Sequence, residues 1–136
     1  MIRTISIPYY TSSMDLHVEE KNLKTVITAK TEDYVPEKSP KELIEDALEH
    51  PIGTPKLSEL AKGKNKVVLV TSDHTRAVPS RLTLPILLKE IRKGNPDADI
   101  IILIATGLHR ETTEEEQRRM FGDDIVDHEK ISVNHE

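Results

Sequence analysis

The sequence predicts an α/β protein in which a small N-terminal β element precedes a mostly parallel sheet flanked by helices. In the first 35 residues, β-branched residues recur at alternating positions, as is typical of strands. From Lys66 onward, apolar runs alternate with helical patterns, which is the order of a βαβ unit. Because 136 residues is the length of one domain, we predict a single Rossmann-like domain with a β-rich part (1–35), a helical part (36–65) and a βαβ unit (66–136).

The β-rich part contains three segments with strand character, at residues 3–10, 15–20 and 24–30. Polar residues at 20–22 separate the second segment from the third and predict a turn. We therefore expect a hairpin between the second and third segments, in a small antiparallel element with one face covered.

The helical part begins with a capping box, because Ser39 precedes Pro40 and is followed three residues later by Glu42. The helix after it has an apolar face at helical spacing, formed by Leu43, Ile44, Ala47 and Leu48. Pro51 ends this helix. A second, short helix is predicted over residues 54–63.

The βαβ unit is predicted from two apolar runs, residues 66–71 and 97–107, that have the composition of parallel strands buried on both faces. Residues 80–94 lie between these strands and form the connecting helix, with an apolar side made of Leu82, Ile86, Leu87 and Ile91. Gly94 ends this helix.

A further helix and strand complete the pattern. Thr112 and Thr113 are N-cap candidates, with Glu115 and Glu116 at capping-box distance from them. The charged run 114–119 then predicts a solvated helix face, and the last strand covers residues 129–134.

Composition excludes several classes of function. The net charge is −5 and aromatic residues make up 3% of the chain, so neither a basic surface nor a base-stacking platform for nucleic acid is expected. The chain has no cysteine, which excludes disulfides, thiolate catalysis and Cys-rich zinc sites. No secretory signal or membrane-spanning run is present in the sequence. We therefore expect a cytoplasmic protein that contacts neither nucleic acid nor membrane.

Polar side chains follow each of the two predicted strands of the βαβ unit. Ligands of open parallel sheets bind beyond the carboxyl ends of the strands, and both loops there deliver an Arg and a His. We expect one cluster at this edge, made of Asp73, His74, Arg76, His109 and Arg110. An arginine can bind a carboxylate or phosphate through two hydrogen bonds, and a histidine suits proton transfer. The sequence thus indicates an anion-binding edge with a histidine acid/base.

Simpler explanations stay open for the same residues. Asp73 and Ser80 could cap turns, His74 could face solvent, and Arg76 could form a surface ion pair with Asp73. Arg110 is more typical of a charge at the rim of a site. The histidines lack a metal-binding spacing and the glycines lack a nucleotide-binding pattern.

Two motifs together, SDHTRAVPS and ATGLHR, resemble the N-terminal domain of the lactate racemase family, the 2-hydroxyacid racemases and epimerases that depend on a nickel-pincer nucleotide. The segments ISIPYY, ALEHPIGTPKLSELAKGKNKVVLV and FGDDIVDHEKI are similar to that family in order and spacing. The resemblance therefore covers nearly the whole chain.

The resemblance implies a reaction and a set of site residues. Enzymes of this family interconvert D- and L-2-hydroxy acids, with hydride transfer from C2 of the substrate to the pincer nucleotide. By motif match, His109 is one of two catalytic histidines, and Arg76 holds the substrate or an anionic group of the cofactor. Asp73, Ser72 and Thr75 are assigned to cofactor binding. The roles of His74 and Arg110 stay open.

The same resemblance implies that essential residues lie outside this chain. Family members are longer and have a second domain, and their cofactor-anchoring lysine, nickel-coordinating histidine and second catalytic histidine lie downstream of the matched region. We expect a fragment that is inactive alone, with a small 2-hydroxy acid such as lactate and the C-terminal domain of the same protein as partners. The alternatives are a stand-alone anion-binding, nucleotide-binding or regulatory module, and a docking subunit for a separately encoded second half.

Overall fold

The computed structural model describes residues 1–134, apart from the side chain of Glu32. The chain divides into two compact units, Met1–Pro36 and Glu37–Glu136. The first contains a two-stranded antiparallel sheet and the second a three-stranded parallel sheet. The predicted α/β class, with a small antiparallel element followed by a parallel sheet and helices, is confirmed.

The first unit is a β-hairpin of strands β1 (Ile2–Tyr9) and β2 (Ser12–Glu19). Its apolar side is formed by cross-strand pairs such as Ile5 opposite Leu16 and Ile7 opposite Met14. Within residues 1–134 this side is not fully covered, contrary to expectation, since Ile7, Met14 and Leu16 are exposed.

The predicted position of the hairpin turn is wrong. The turn lies at residues 10–11, where Tyr10 has a φ of 52°, and Glu20–Asn22 forms a single 3₁₀ turn after β2. β2 pairs along its whole length with β1, and residues 24–30 form no strand in the described chain. Alternation alone did not reveal which segments pair.

The second unit opens with helices α1 (Pro40–Glu49) and α2 (Leu57–Ala61). The predicted capping box of α1 is confirmed: Ser39 donates its backbone N–H to the Glu42 carboxylate at 2.8 Å, and its hydroxyl accepts from the Glu42 N–H at 3.3 Å. Such a cap stabilises a helix by about 1 kcal/mol.

The parallel sheet contains β3 (Lys66–Ser72), β4 (Asp99–Ala105) and β5 (Lys130–Asn134), in that spatial order. Helix α3 (Ser80–Gly94) connects the first two strands. Helices α4 (Glu114–Phe121) and α5 (Asp123–His128) connect the last two.

One face of the sheet forms the core. Ile100, Ile102 and Ile104 of β4 are buried there against residues of the helices, namely Ala61, Leu84, Leu88, Ile91, Phe121 and Ile125. Complete burial of an isoleucine side chain contributes about 1.5–3 kcal/mol. The buried residues of α3 thus differ from the predicted apolar side: Ile91 is buried as expected, whereas Leu82, Ile86 and Leu87 are half-buried.

The other face of the sheet is more open. Val68 and Val70 of β3 are 48% and 67% exposed, and Ile101 and Leu103 of β4 are half-buried. The prediction that β3 is buried on both faces is therefore wrong for this chain. The buried apolar residues of α2, α3, α4 and α5 all belong to the cluster on the first face, and α1 has no buried residue.

Gly94, the last residue of α3, allows this helix to approach α2 closely. A Cβ atom built on Gly94 would lie 1.8 Å from the carbonyl oxygen of Ser58. The backbone at Gly94 does not have a positive φ, so the constraint is steric.

Gly94→Ala is expected to destabilise the chain by about 1–3 kcal/mol, because the added methyl group would collide with the backbone of α2. In an unconstrained helix the same change would stabilise by about 0.5–1 kcal/mol. Guanidinium unfolding of the chain measures the difference. The control is Lys93→Ala on the exposed side of the same turn, expected to change stability by about 0.5 kcal/mol or less. A Gly94→Ala chain as stable as the parent would contradict the close approach.

Candidate functional site

The carboxyl ends of β3 and β4 bring two loops together. Ser72 and Ala105 are paired across the strands, so Asp73 and Thr106 are the first residues after the ends of two adjacent strands. Both are 2% exposed. The Thr106 hydroxyl donates to the backbone carbonyl of Asn134 at the end of β5. The start of the second loop is therefore fixed to the sheet, by a residue that the sequence analysis did not identify.

Asp73 and His109 form a direct pair between these loops. Oδ1 of Asp73 accepts hydrogen bonds from the Thr75 backbone N–H at 3.1 Å and from the Thr75 hydroxyl at 2.7 Å. Oδ2 lies 2.5 Å from Nδ1 of His109. Because an ionised carboxylate can only accept, we assign the ring proton to Nδ1. In the neutral ring, Nε2 is then an unprotonated acceptor.

The environment keeps Asp73 ionised. The hydrogen bond from the Thr75 hydroxyl, followed by that from His109, lowers the pKa of Asp73 from 3.8 to about 2, although burial acts in the opposite direction. The His109 side chain is 43% exposed. The pair therefore combines a buried negative charge with a histidine ring that solvent or a ligand can reach.

The other predicted site residues are placed differently. The Arg76 side chain is exposed and forms no hydrogen bond or ion pair with residues 1–134, so the predicted alternative of an ion pair with Asp73 is not seen. Ser72 is half-buried at the end of β3. Ser80 is buried and lies 3.2 Å from Thr71, hydroxyl to hydroxyl, without capping α3. Asp73 does hold a turn, through its bond to the Thr75 N–H.

His74 points to the N-terminus of α4, into a second cluster. Its Nδ1 atom lies 3.4 Å from the Thr112 hydroxyl and 3.7 Å from Oε2 of Glu116. The His74 side chain is 17% exposed. It is thus neither a solvent-facing histidine nor a neighbour of the Asp73–His109 pair through side-chain hydrogen bonds.

Arg110 and Glu116 form the centre of this second cluster. The two Nη atoms of Arg110 donate to the two carboxylate oxygens of Glu116 at 2.8 and 2.6 Å. These bonds, with that from the Thr113 N–H, hold the pKa of Glu116 well below its usual range. The predicted solvated face is wrong at Glu116, which is buried. The spacing between Thr113 and Glu116 predicted the capping box. It could not predict the contact of Glu116 with Arg110, because that contact depends on how the loop folds.

Residues 1–134 contain no group of three or more His, Asp or Glu side chains arranged to hold a metal ion. Over the same residues, no helix has both the length and the apolar character needed to cross a bilayer.

Comparison with known proteins finds a matching family model and two similar proteins. Residues 9–136 match the family model described as the lactate racemase N-terminal domain. The chain is 45% identical over 130 residues to lactate racemase of Thermoanaerobacterium thermosaccharolyticum and 42% identical over 130 residues to that of Lactiplantibacillus plantarum. These alignments cover 96% of this chain and 30% and 31% of the relatives.

A solved structure is similar over the same region. The lactate racemase apoprotein from T. thermosaccharolyticum matches with a TM-score of 0.86 and 44% sequence identity, over 98% of this chain and 30% of that one. The chain thus spans about 30% of the length of the relatives it matches. The resemblance of the two loop motifs is confirmed, and the chain belongs to the lactate racemase N-terminal domain family.

Proposed function

We propose that this chain forms part of a longer racemase that interconverts D- and L-2-hydroxy acids such as lactate, with His109 as one of its proton-transferring groups. The observation that carries the proposal is the Asp73–His109 pair, in which a buried carboxylate binds Nδ1 of an exposed imidazole. The name of the two relatives supports the reaction type.

The Asp73–His109 geometry suits removal of a proton from a hydroxyl group. Nε2 of the neutral ring accepts the proton of the substrate 2-hydroxyl as the hydrogen on C2 leaves with its electron pair. The Asp73 carboxylate stabilises the positive charge that the His109 ring then acquires. When the hydride returns to C2, the same nitrogen gives its proton back to the oxygen, and this restores the 2-hydroxyl group. A second acid/base for the opposite face is assigned to the rest of the protein.

Arg76 is proposed to bind the substrate carboxylate. Its side chain is exposed at the same sheet edge and has no partner in the described part of the chain. A guanidinium matches a carboxylate with two parallel hydrogen bonds, which fixes the orientation of C2. The same group could instead meet an anionic group of the cofactor.

The cofactor proposed for this site is the nickel-pincer nucleotide. The side chains at the edge offer hydroxyl and cationic groups for an anionic nucleotide, whereas residues 1–134 provide no metal-ligand cluster. Ser72 and Thr75 would line the nucleotide, and Asp73 would hold Thr75 in place by accepting hydrogen bonds from its N–H and its hydroxyl. The nickel ligand and the covalent anchor would come from the rest of the protein. When bound, this group supplies the acceptor for the hydride on C2.

His109→Ala in the full-length protein is expected to lower kcat for lactate racemisation by about 10²- to 10⁴-fold, the usual contribution of a general acid/base. The control is His128→Ala, an exposed histidine just before β5 and therefore at the opposite edge of the sheet. We expect near-normal turnover from that variant. Chiral analysis of lactate after incubation with the D or the L form measures both. Near-normal turnover by His109→Ala would remove this residue from the site.

Asp73 is expected to titrate with a pKa of about 2 rather than 3.8, because Thr75 and His109 donate to its ionised form. A carboxyl whose pKa is depressed on folding stabilises the fold above its unfolded pKa, and this contribution is lost as the pH falls through the folded pKa. The stability difference between the chain and its Asp73→Asn variant should therefore shrink between pH 3.8 and about 2.

Carbon-13 NMR of the Asp73 carboxyl measures this pKa directly. Thr75→Val removes the hydroxyl donor while keeping the shape of the side chain, and it should raise the pKa of Asp73 toward its ordinary value. An Asp73 pKa at or above 3.8 in the parent chain would contradict the hydrogen-bonded arrangement.

A further inference from the structure

Glu116 accepts more hydrogen bonds than a helix cap requires. As a capping-box residue of α4, its Oε2 accepts from the Thr113 N–H at 3.0 Å and lies 3.2 Å from the Thr113 hydroxyl. That role occupies one oxygen, and glutamine serves it as well as glutamate. Oε1 of Glu116 is bonded to Nη2 of Arg110 at 2.6 Å, while Oε2 also accepts from Nη1. The Glu116 side chain is 11% exposed.

These extra contacts join the two loops of the site. Arg110 directly follows His109 on the loop after β4, and His74 directly follows Asp73 on the loop after β3. Glu116 binds Arg110 through a two-bond ion pair and lies 3.7 Å from the His74 ring. Each member of the Asp73–His109 pair therefore has a sequence neighbour that contacts the same carboxylate.

We propose that Glu116 is a positioning residue, which holds the backbone at His109 in register with Asp73 and so fixes the direction of His109 Nε2. This inference rests on the proposed acid/base role of His109. The planar guanidinium of Arg110 in a two-bond pair restricts rotation about the loop next to His109 more than a single contact would. Glu116 is buried whereas the Arg110 side chain is 60% exposed, so solvent screens this ion pair from the Arg110 side only.

His109 must be held in an accurate position to transfer a proton, and this need gives the ion pair between Glu116 and Arg110 a function. The contact between Asp73 Oδ2 and His109 Nδ1 is 2.5 Å long, and the His109 side chain is 43% exposed, so few neighbouring side chains limit its movement. A displacement of about 1 Å in a catalytic group can cost about 10²-fold in rate. With Glu116 in place, the loop that carries His109 is fixed on both sides of that residue. Before it, Thr106 is bonded to the end of β5, and after it, Arg110 is bonded to Glu116 of α4.

The test uses Glu116→Gln in the full-length, cofactor-loaded protein. Glutamine preserves the capping box but removes the charge that pairs with Arg110. The control is Glu115→Gln, an exposed residue on the same turn of α4. We expect Glu116→Gln to lower kcat roughly 10- to 100-fold, with KM for lactate changed by about twofold or less, and Glu115→Gln to change neither.

A spectroscopic readout separates positioning from loss of structure. In protein labelled with ¹³C at histidine Cε1, the His109 resonance is identified by its absence from His109→Ala. It should shift in Glu116→Gln and stay in place in Glu115→Gln. Arg110→Gln changes the exposed side of the ion pair and should also lower kcat and shift the His109 resonance. The kcat of the double variant should be no lower than that of the more severe single variant, because both substitutions act through one interaction.

Two results would overturn the inference: kcat of Glu116→Gln equal to that of Glu115→Gln, or a lowered kcat with an unmoved His109 resonance. If Glu116→Gln fails to fold, Arg110→Gln decides by the same two readouts. The outcome is distinguishable from failure of the proposed function. If the proposed function fails, His109→Ala itself retains turnover. If only the present inference fails, His109→Ala still loses turnover, and Glu116→Gln gives one of the two results named above.

Discussion

The rest of the site depends on the hydrogen bonds that the buried carboxylate of Asp73 accepts. Asp73 is the first residue after β3, and both of its oxygens are occupied, one by Thr75 of its own loop and one by His109 of the neighbouring loop. A buried carboxylate without such donors would carry a large desolvation cost or take up a proton. The folded arrangement of both loops is therefore coupled to the charge that orients the histidine.

The sheet explains why these two loops meet. Parallel pairing of β3 with β4 places Ser72 opposite Ala105, so the chain leaves adjacent strands at the same level. The core on one face holds this register through Ile100, Ile102 and Ile104, all at most 4% exposed. These apolar contacts lie on the helical side, whereas Arg76 and His109 in the loops beyond the strand ends are exposed. Such an edge can receive a ligand without opening the core.

Much of this organisation could be predicted from the sequence. Strand–loop–helix order placed both polar loops at one sheet edge, and the capping boxes at Ser39 and Thr113 are local signals that the structure confirms. The motif resemblance identified the family. Pairing was harder, because β-alternation in residues 24–30 is as strong as in true strands. The buried side of α3 was also misassigned, since Leu82 and Leu84 are equally apolar and only tertiary packing distinguishes them.

Side-chain partners were the least predictable feature. Five polar residues were expected in one cluster, and the structure divides them among two networks and solvent: Asp73 with His109, His74 and Arg110 with Glu116, and Arg76 exposed. Spacing along the chain does not encode which of two adjacent residues turns toward a neighbouring loop. Glu116 was visible only as a cap, because its pairing with Arg110 requires the folded loop.

The most direct test of the central claim is the tautomer of His109, read from the ¹⁵N chemical shifts of its ring in this chain at a pH where the ring is neutral. We expect a protonated Nδ1 bonded to Asp73 and an unprotonated Nε2. In Asp73→Asn, the Nδ1–H tautomer should no longer be favoured. A neutral ring protonated at Nε2, unchanged by Asp73→Asn, would contradict the assignment of His109 as a base oriented by Asp73.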